Sequence, residues 1–153
     1  MWAMKLITIS QHDFPLWTQF RNKIYPLLSD EFNTEEMRNI LLSDLWHCWF
    51  IENADGERIG LVELSLRNIV DGCLSSPVPY LEGLYLTEAT RGKGFGTEVI
   101  DIIKTWCVQQ GYTELATDAE LTNVRAQHFY EKIGFEKVDR IVEYRLEVKK
   151  THP

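Results

Sequence analysis

The chain has 153 residues, 44% of them hydrophobic and 12% aromatic, which is enough for one domain with a substantial apolar core. It contains no apolar run near the ~20 residues of a membrane-spanning helix, and its opening residues, MWAMK, lack the pattern of a signal peptide. The net charge of −7 disfavours a nucleic-acid partner and fits a cationic partner, although simple solubility explains it equally well.

Hydrophobic periodicity alternates along the chain between the period of strands and that of helices. In chain order it predicts a strand (5–9), two helices (14–25 and 33–45), two strands (46–52 and 58–66), a polar connection (67–78), a strand (79–86), a helix (94–110), a strand (113–118), a helix (122–133) and a last strand (139–148). Asn33 and Glu36 are spaced as a variant capping box for the second helix. We expect one domain over 1–148 and a frayed tail over 149–153.

Cysteine and histidine usage bears on compartment and metal binding. Cys48, Cys73 and Cys107 are odd in number and widely spaced, which argues against a disulfide framework and for a reducing cytoplasm. The four histidines show no ligand spacing with cysteines or carboxylates, so no metal is expected.

A loop rich in glycine and positive charge precedes the third predicted helix. The stretch RGKGFG, 91–96, carries three glycines and two cations. Backbone N–H groups at a helix start can bind phosphate, and glycine allows a close approach, but an ordinary glycine-rich turn would look the same. The spacing matches neither the P-loop nor the dinucleotide-binding fingerprint.

A second motif, NVRAQHFYEKIGF, follows at 123–135. With the strand and loop before it, over 79–135, it resembles the GCN5-related N-acetyltransferase (GNAT) superfamily. The resemblance implies an α+β fold, in which helices flank a mixed, mostly antiparallel sheet with splayed middle strands. It also implies acetyl-coenzyme A (acetyl-CoA) as the acetyl donor.

The resemblance assigns residues to the coenzyme. The loop would hold the pyrophosphate, the end of the preceding strand would pair with the pantetheine arm, and the second motif would line the channel: Arg91, Gly92, Lys93, Gly94, Phe95, Gly96 and Thr97; Leu84, Tyr85 and Leu86; Asn123, Ala126 and Phe129. Tyr130 occupies the position of the general acid that protonates the departing thiolate. The alternative is that Tyr130 has only a structural role, as a half-buried aromatic residue on a helix.

Three longer stretches resemble the aminoglycoside 6′-N-acetyltransferases within this superfamily: LWTQFRNKIYP (16–26), SLRNIVDGCLSSPVPYLEGLYL (65–86) and LATDAELTNVRAQHFY (115–130). These enzymes acetylate the 6′-amine of kanamycin-like drugs and confer resistance. The resemblance implies a cationic aminoglycoside substrate and a homodimer, for which the last strand is a candidate interface, although it could equally be an internal strand.

Acidic residues fit such a substrate. By resemblance, Glu82 contacts the 6′-amine as the base and Asp118 binds another amine, while Asp71 and Glu120 could extend the acidic surface. Each has a plainer interpretation as a solvated rim, cap or turn residue. Tyr25 stands where many relatives have a tryptophan that packs on the sugar.

Two alternatives remain open. An acetyltransferase could act on another amine, such as a polyamine or a protein N-terminus, and a non-catalytic module could merely bind acetyl-CoA. Ile69 replaces a tyrosine that is common in the family, and Tyr25 also departs from the family pattern. These two differences leave the drug spectrum open.

Overall fold

Within residues 3–150, which the computed structural model describes, five strands form one sheet. Their order follows the chain: β1 (Lys5–Thr8), β2 (Trp46–Glu52), β3 (Arg58–Arg67), β4 (Val78–Leu86) and β5 (Ala116–Thr117). β1 to β4 pair antiparallel, and β5 pairs parallel with β4. The prediction of a mixed, mostly antiparallel sheet is confirmed.

The chain forms two compact units that divide after Asp118. The first unit contains the sheet and the helices α1 (Phe14–Ile24), α2 (Asp30–Leu42) and α3 (Phe95–Gln109). The second begins at Ala119 and contains α4 (Val124–Lys132). No helix among the described residues is long and apolar enough to cross a membrane.

The core of the first unit joins α1 and α2 to β2 and β3. Apolar residues at helical spacing on α1 and α2 meet inward-facing strand residues in one cluster: Trp17, Phe20, Met37, Ile40, Phe50 and Leu61. Fully burying one such side chain stabilises a fold by about 1.5–3 kcal/mol. This cluster therefore anchors α1 and α2 against β2 and β3.

The start of α2 differs from the prediction. Ser29 is the N-cap and accepts a hydrogen bond from the Phe32 N–H at 3.2 Å, so the predicted Asn33–Glu36 capping box is wrong. Asn33 lies inside the helix, is 1% exposed, and accepts a hydrogen bond from Arg21 Nε at 2.6 Å. The capping prediction is wrong because the Asn33 side chain pairs instead with the buried guanidinium of Arg21, which lies on α1.

The other differences concern strands near the end of the chain. β5 has two residues rather than the six predicted, and residues 139–148, all of them described, contain no strand. Segment 139–148 is exposed, including its apolar residues Ile141, Val142, Tyr144, Leu146 and Val148. β-Branched composition favours a strand, but a strand also needs a partner edge.

Candidate active site

Glu82 lies at a β-bulge in the middle of β4. Across the β3–β4 pair, Glu63 is opposite Gly83 while Leu64 is opposite Leu81, so Glu82 is an extra residue in the ladder. Bulges bend a strand and re-aim side chains, and they are common beside active sites. The predicted base therefore sits where the sheet is locally distorted.

The Glu82 carboxylate is held by two residues of β3. Ser65 Oγ donates to Oε2 at 2.5 Å, and Arg67 donates from Nη2 to Oε1 at 2.8 Å and from Nε to Oε2 at 3.0 Å. The Glu82 side chain is 17% exposed. The sequence analysis missed Ser65 and Arg67, although the position of Arg67 directly after the apolar run of β3 is a signal that could have found it.

Asp118 joins this group through Tyr80. Asp118 follows β5 directly, and its Oδ2 accepts a hydrogen bond from the Tyr80 hydroxyl at 2.6 Å. Burial, followed by this hydrogen bond, raises the pKa of Tyr80, so its hydroxyl remains a donor. The Arg67 guanidinium lies 3.5 Å from the centroid of the Tyr80 ring. The structure thus links the two carboxylates that were predicted to bind amines.

The edge of β4 that faces β5 is paired only in its first part. Tyr80 pairs with Ala116 and Leu81 with Thr117, and β5 ends there while β4 continues to Leu86. On its opposite edge this last part of β4, with Leu84 and Tyr85, pairs with β3. Its outer edge can therefore hydrogen-bond an extended ligand, as predicted for the pantetheine arm, and the splaying of the middle strands is confirmed.

The glycine-rich loop leads directly into α3. Gly92 and Gly94 have φ values of +75° and +79°, a region that glycine adopts with little strain, and nothing lies within 4 Å of where a Cβ would stand. Gly94 is the N-cap of α3 and has no side chain with which to cap it. The positive end of the helix dipole and the first backbone N–H groups of α3 can bind an anion such as a pyrophosphate.

Cations flank the same region. A cleft of about 450 Å³ is lined by Lys23, Tyr85, Glu88 and Arg91. Arg91 Nε donates to the Leu86 carbonyl at 3.0 Å, which ties the loop to the end of β4. Lys93 in the loop is exposed. The chemistry of these residues fits the phosphate end of a coenzyme.

Tyr25 supports the bulge from the end of α1. Its hydroxyl donates to the Glu82 carbonyl oxygen at 3.2 Å, and burial, followed by the charge of Glu63, raises its pKa. A Cβ at Gly83 would lie 2.9 Å from this hydroxyl, so glycine is what lets α1 approach the strand. The predicted contact of Tyr25 with a sugar stays a prediction.

A buried ion pair lies behind Tyr25. Arg21 and Glu63 are both 0% exposed, and Arg21 Nη1 lies 2.7 Å from each Glu63 carboxylate oxygen. Trp17 Nε1 donates to Glu63 at 2.7 Å, and Arg21 also pairs with Glu36 at 2.6 Å. The Arg21 guanidinium lies 4.8 Å from the centroid of the Tyr25 ring. The sequence analysis missed this pair, although a charged residue within each apolar stripe was a visible signal.

Asp71 lies in the exposed loop between β3 and β4. The Cys73 N–H donates to the Val70 carbonyl at 3.0 Å, which closes a turn around Asp71 and Gly72. Ile69, in the same loop, is 84% exposed. The predicted role of Asp71 in binding the substrate remains a prediction.

The second unit carries the remaining predicted residues. Asn123 caps α4, since its side chain accepts from the Ala126 N–H at 3.1 Å. The rings of Phe129 and Tyr130 lie 5.3 Å apart, edge to face, and both residues are half-buried. The backbone carbonyl of Glu120 accepts from the Asn123 N–H at 2.9 Å. Their roles toward coenzyme and substrate remain predictions.

Comparison with known families decides the class of protein. The model of the acetyltransferase (GNAT) family matches residues 14–135. The chain belongs to this family. Its fold is accordingly the GNAT fold, and it is an acetyltransferase that uses acetyl-CoA. Among residues 3–150 no three His, Cys, Asp or Glu side chains gather in a way that could hold a metal ion.

Relatives of this GNAT chain share most of its length. It is 36% identical to an aminoglycoside N(6′)-acetyltransferase type 1 of Serratia marcescens, covering 92% of this chain and 97% of that protein. A protein of the same name from Salmonella typhimurium is 32% identical, covering 84% of this chain and 89% of that protein.

Solved structures of similar enzymes superpose closely. AAC(6′)-Iy in complex with the bisubstrate analogue CoA-S-monomethyl-acetylneamine has a TM-score of 0.82 at 28% identity, over 94% of this chain and 98% of that one. The aminoglycoside 6′-N-acetyltransferase AAC(6′)-Ih from Acinetobacter baumannii has a TM-score of 0.81 at 26% identity, over 95% of this chain and 99% of that one.

Proposed function

We propose that this GNAT chain transfers the acetyl group of acetyl-CoA to the 6′-amine of aminoglycoside antibiotics, by direct attack in a ternary complex, and so confers resistance. The observation that carries the proposal is the placement of Glu82 at the β4 bulge, linked through Arg67 and Tyr80 to Asp118. The named relatives, which align over most of the chain, support the same substrate.

The chain's own residues would hold acetyl-CoA at the end of β4 and the start of α3. The outer edge of Leu84–Leu86 would pair with the amides of the pantetheine arm, and the N–H groups of Arg91–Thr97 would bind the pyrophosphate. Asn123, Ala126 and Phe129 complete the proposed coenzyme contacts. Bound there, the coenzyme supplies an activated acetyl thioester.

Two side chains would move protons. Glu82 attracts the ammonium and takes its proton, directly or through water, because only the neutral amine can attack a carbonyl. Tyr130 would donate a proton to the departing sulfur. Two protons leave the nitrogen in all: Glu82 takes the first from the ammonium before the attack and releases it to solvent. The attack then forms the amide bond and breaks the thioester bond, and the second proton lost by the nitrogen balances the one gained by the sulfur.

Negative charge would bind the rest of the substrate. We assign Asp118, Asp71 and Glu120 to further ammonium groups, and the ring of Tyr25 to a sugar face. The net charge of −7 would raise the local concentration of a polycation. The drug spectrum depends on Tyr25 and Ile69, which differ from residues common in the family.

Assembly and location follow as parts of the same proposal. We assign residues 1–148 to one catalytic domain and the protein to the cytoplasm, where acetyl-CoA is available. We also propose a homodimer in which the exposed apolar segment 139–148 lies against a second copy. Sedimentation velocity tests this: deleting 139–153 should convert a species of twice the chain mass into a monomer.

The acetyl-transfer proposal is tested by thiol release from acetyl-CoA with neomycin and with paromomycin. The two drugs differ at the 6′ position, which carries an amine in neomycin and a hydroxyl in paromomycin. We expect rapid turnover with neomycin and little with paromomycin. Equal turnover would move the reaction to another amine, and coenzyme binding without turnover would leave polyamines or peptides as substrates, or a module that only binds acetyl-CoA.

Substitutions test the assigned chemistry. Glu82→Gln should lower kcat/KM for neomycin by about 100-fold, the usual scale of a general base, and Tyr130→Phe should lower kcat by about tenfold. Glu35→Gln on the exposed surface of α2 is the matched control and should leave both unchanged. Full activity in Glu82→Gln would remove Glu82 from the mechanism.

A further inference from the structure

Both oxygens of the Glu82 carboxylate already hold a cation. Arg67 Nη2 lies 2.8 Å from Oε1 and Arg67 Nε lies 3.0 Å from Oε2, which is a two-point contact. Ser65 Oγ adds a third donor, at 2.5 Å from Oε2. These are the oxygens that a substrate ammonium would need, so Arg67 and the substrate compete for one carboxylate.

Arg67 cannot replace Glu82 as the base. A guanidinium donates hydrogen bonds, accepts none, and keeps its proton throughout the working pH range. Its side chain is 43% exposed, whereas that of Glu82 is 17% exposed, so Arg67 reaches solvent more easily than its partner. The arginine is therefore the member of the pair that can leave.

The ring of Tyr80 offers Arg67 a second place of interaction. The guanidinium carbon lies 3.5 Å from the ring centroid, and the same ring carries the hydroxyl that donates to Asp118 at 2.6 Å. Cation–π contact can retain the guanidinium while Glu82 takes an ammonium. A displaced Arg67 then remains near the site without occupying the carboxylate.

We propose that Arg67 is a built-in competitor for the base: it occupies Glu82 in the free enzyme and raises the KM of every amine by the cost of displacing it, so only an amine with further contacts binds at low concentration. This inference rests on the proposed function, in which Glu82 receives the reacting amine. Exchange of a guanidinium for an ammonium leaves the charge at Glu82 unchanged, so binding depends on what else the substrate contacts. A monoamine offers only the exchange, whereas a polycation also places an ammonium near Asp118.

The test compares a polyamine substrate with a monoamine that has the same reacting group. Neamine and methyl 6-amino-6-deoxy-α-D-glucopyranoside both carry a primary amine on the sixth carbon of a sugar ring. Thiol release is measured for wild type and for Arg67→Gln, with kcat and KM determined separately. We expect KM to fall about fivefold to tenfold in the variant for both substrates, with the ratio of their kcat/KM values unchanged, because the cost of displacing Arg67 is common to both.

Two further variants control the comparison. Arg58→Gln removes an arginine that pairs with Glu52 at the other end of β3, and it should leave both KM values unchanged. Arg67→Lys keeps the charge but loses the two-point contact, so its KM values should lie between those of wild type and Arg67→Gln. If Arg67→Gln does not fold, as judged by circular dichroism, Arg67→Lys alone decides.

The outcomes separate this inference from the function on which it rests. An unchanged KM for both substrates in a folded Arg67 variant that turns over neamine would overturn the inference alone. A fall of kcat for both substrates with no fall of KM would also overturn it, because Arg67 would then only orient Glu82. Absence of thiol release from wild type with neamine and neomycin would overturn the proposed function, and this inference with it.

Discussion

Removing the buried cation of α1 should destabilise the fold far more than removing a surface cation. We consider Arg21→Met, which keeps a long side chain but leaves the Glu63 carboxylate without its guanidinium. Both residues are 0% exposed, and they meet through two contacts of 2.7 Å. After the change, Glu63 would keep the neutral Trp17 N–H, at 2.7 Å, as a donor.

The magnitude follows from that burial. Breaking a buried ion pair by removing one partner costs about 3–5 kcal/mol, because an uncompensated charge stays in the interior. Asn33 would also lose its 2.6 Å hydrogen bond from Arg21 Nε. We therefore expect the free energy of unfolding to fall by about 4 kcal/mol, and Tm by roughly 10 °C for a chain of this size.

The loss should depend on pH in a defined direction. Burial raises the pKa of Glu63 above its ordinary value of 4.5, and Arg21 opposes this rise. Without Arg21 the folded-state pKa rises further, so the folded chain holds the proton more tightly than the unfolded chain does. Stability is then lost as pH increases from 4.5 through the folded-state pKa. The deficit of Arg21→Met should be smaller at pH 5 than at pH 8.

Urea unfolding measures both effects. Circular dichroism and tryptophan fluorescence give the midpoint and the slope, and an unchanged slope shows that stability alone has altered. Lys5→Met is the matched control, since Lys5 is 68% exposed and lies 3.5 Å from Glu52, so its loss should cost under about 1 kcal/mol. The double variant Arg21→Met/Glu63→Gln should lose at least about 2 kcal/mol less than the two single losses combined.

Any of three results would refute this reasoning. A cost of Arg21→Met below about 1 kcal/mol would mean that the guanidinium contributes no more than a surface charge does. Strict additivity in the double variant would mean that Arg21 and Glu63 are not energetically coupled. A deficit that is constant from pH 5 to pH 8 would show that the Glu63 carboxylate is not the group left uncompensated.

Three further changes test other parts of the structure. Tyr25→Phe removes one hydrogen bond to the bulge and should cost about 1 kcal/mol in urea unfolding; no loss would mean that the contact is not formed. Gly94→Ala places a side chain at φ +79° and should cost about 1 kcal/mol while weakening acetyl-CoA binding in calorimetry; unaltered binding would contradict the loop assignment. Burial raises the pKa of Cys48, and that of Cys107 to about 11, so a thiol reagent at pH 8 should modify the half-buried Cys73 first; equal rates would contradict the burial pattern.

Local pattern was sufficient for most elements because helices and strands reveal themselves through nearby residues. β2 was predicted with the bounds that the structure has, 46–52, and α3 was predicted within one residue at each end. Segment 139–148 shows the limit of this reasoning. Its composition favours a strand, but pairing requires an edge that composition alone does not supply.

The pairing of charges could not be predicted in the same way. Arg21 and Glu63 are 42 positions apart, and Arg67 and Glu82 are 15 apart, so no local period relates them. Asn33 illustrates this limit: the sequence predicts it as a capping residue, but in the structure it is a buried hydrogen-bond partner of Arg21. Only packing shows which carboxylate each guanidinium reaches.

The sequence by itself determined the kinds of most elements and the glycine-rich helix start, because these depend on local chemistry. Its resemblance to a family supplied the candidate acid and base. The tertiary structure alone decided that Glu82 sits in a bulge, that Tyr25 holds this bulge from α1, and that Arg67 occupies the carboxylate. The physical reason is that each of these features depends on how neighbouring elements align, and that alignment is the result of burying the whole core.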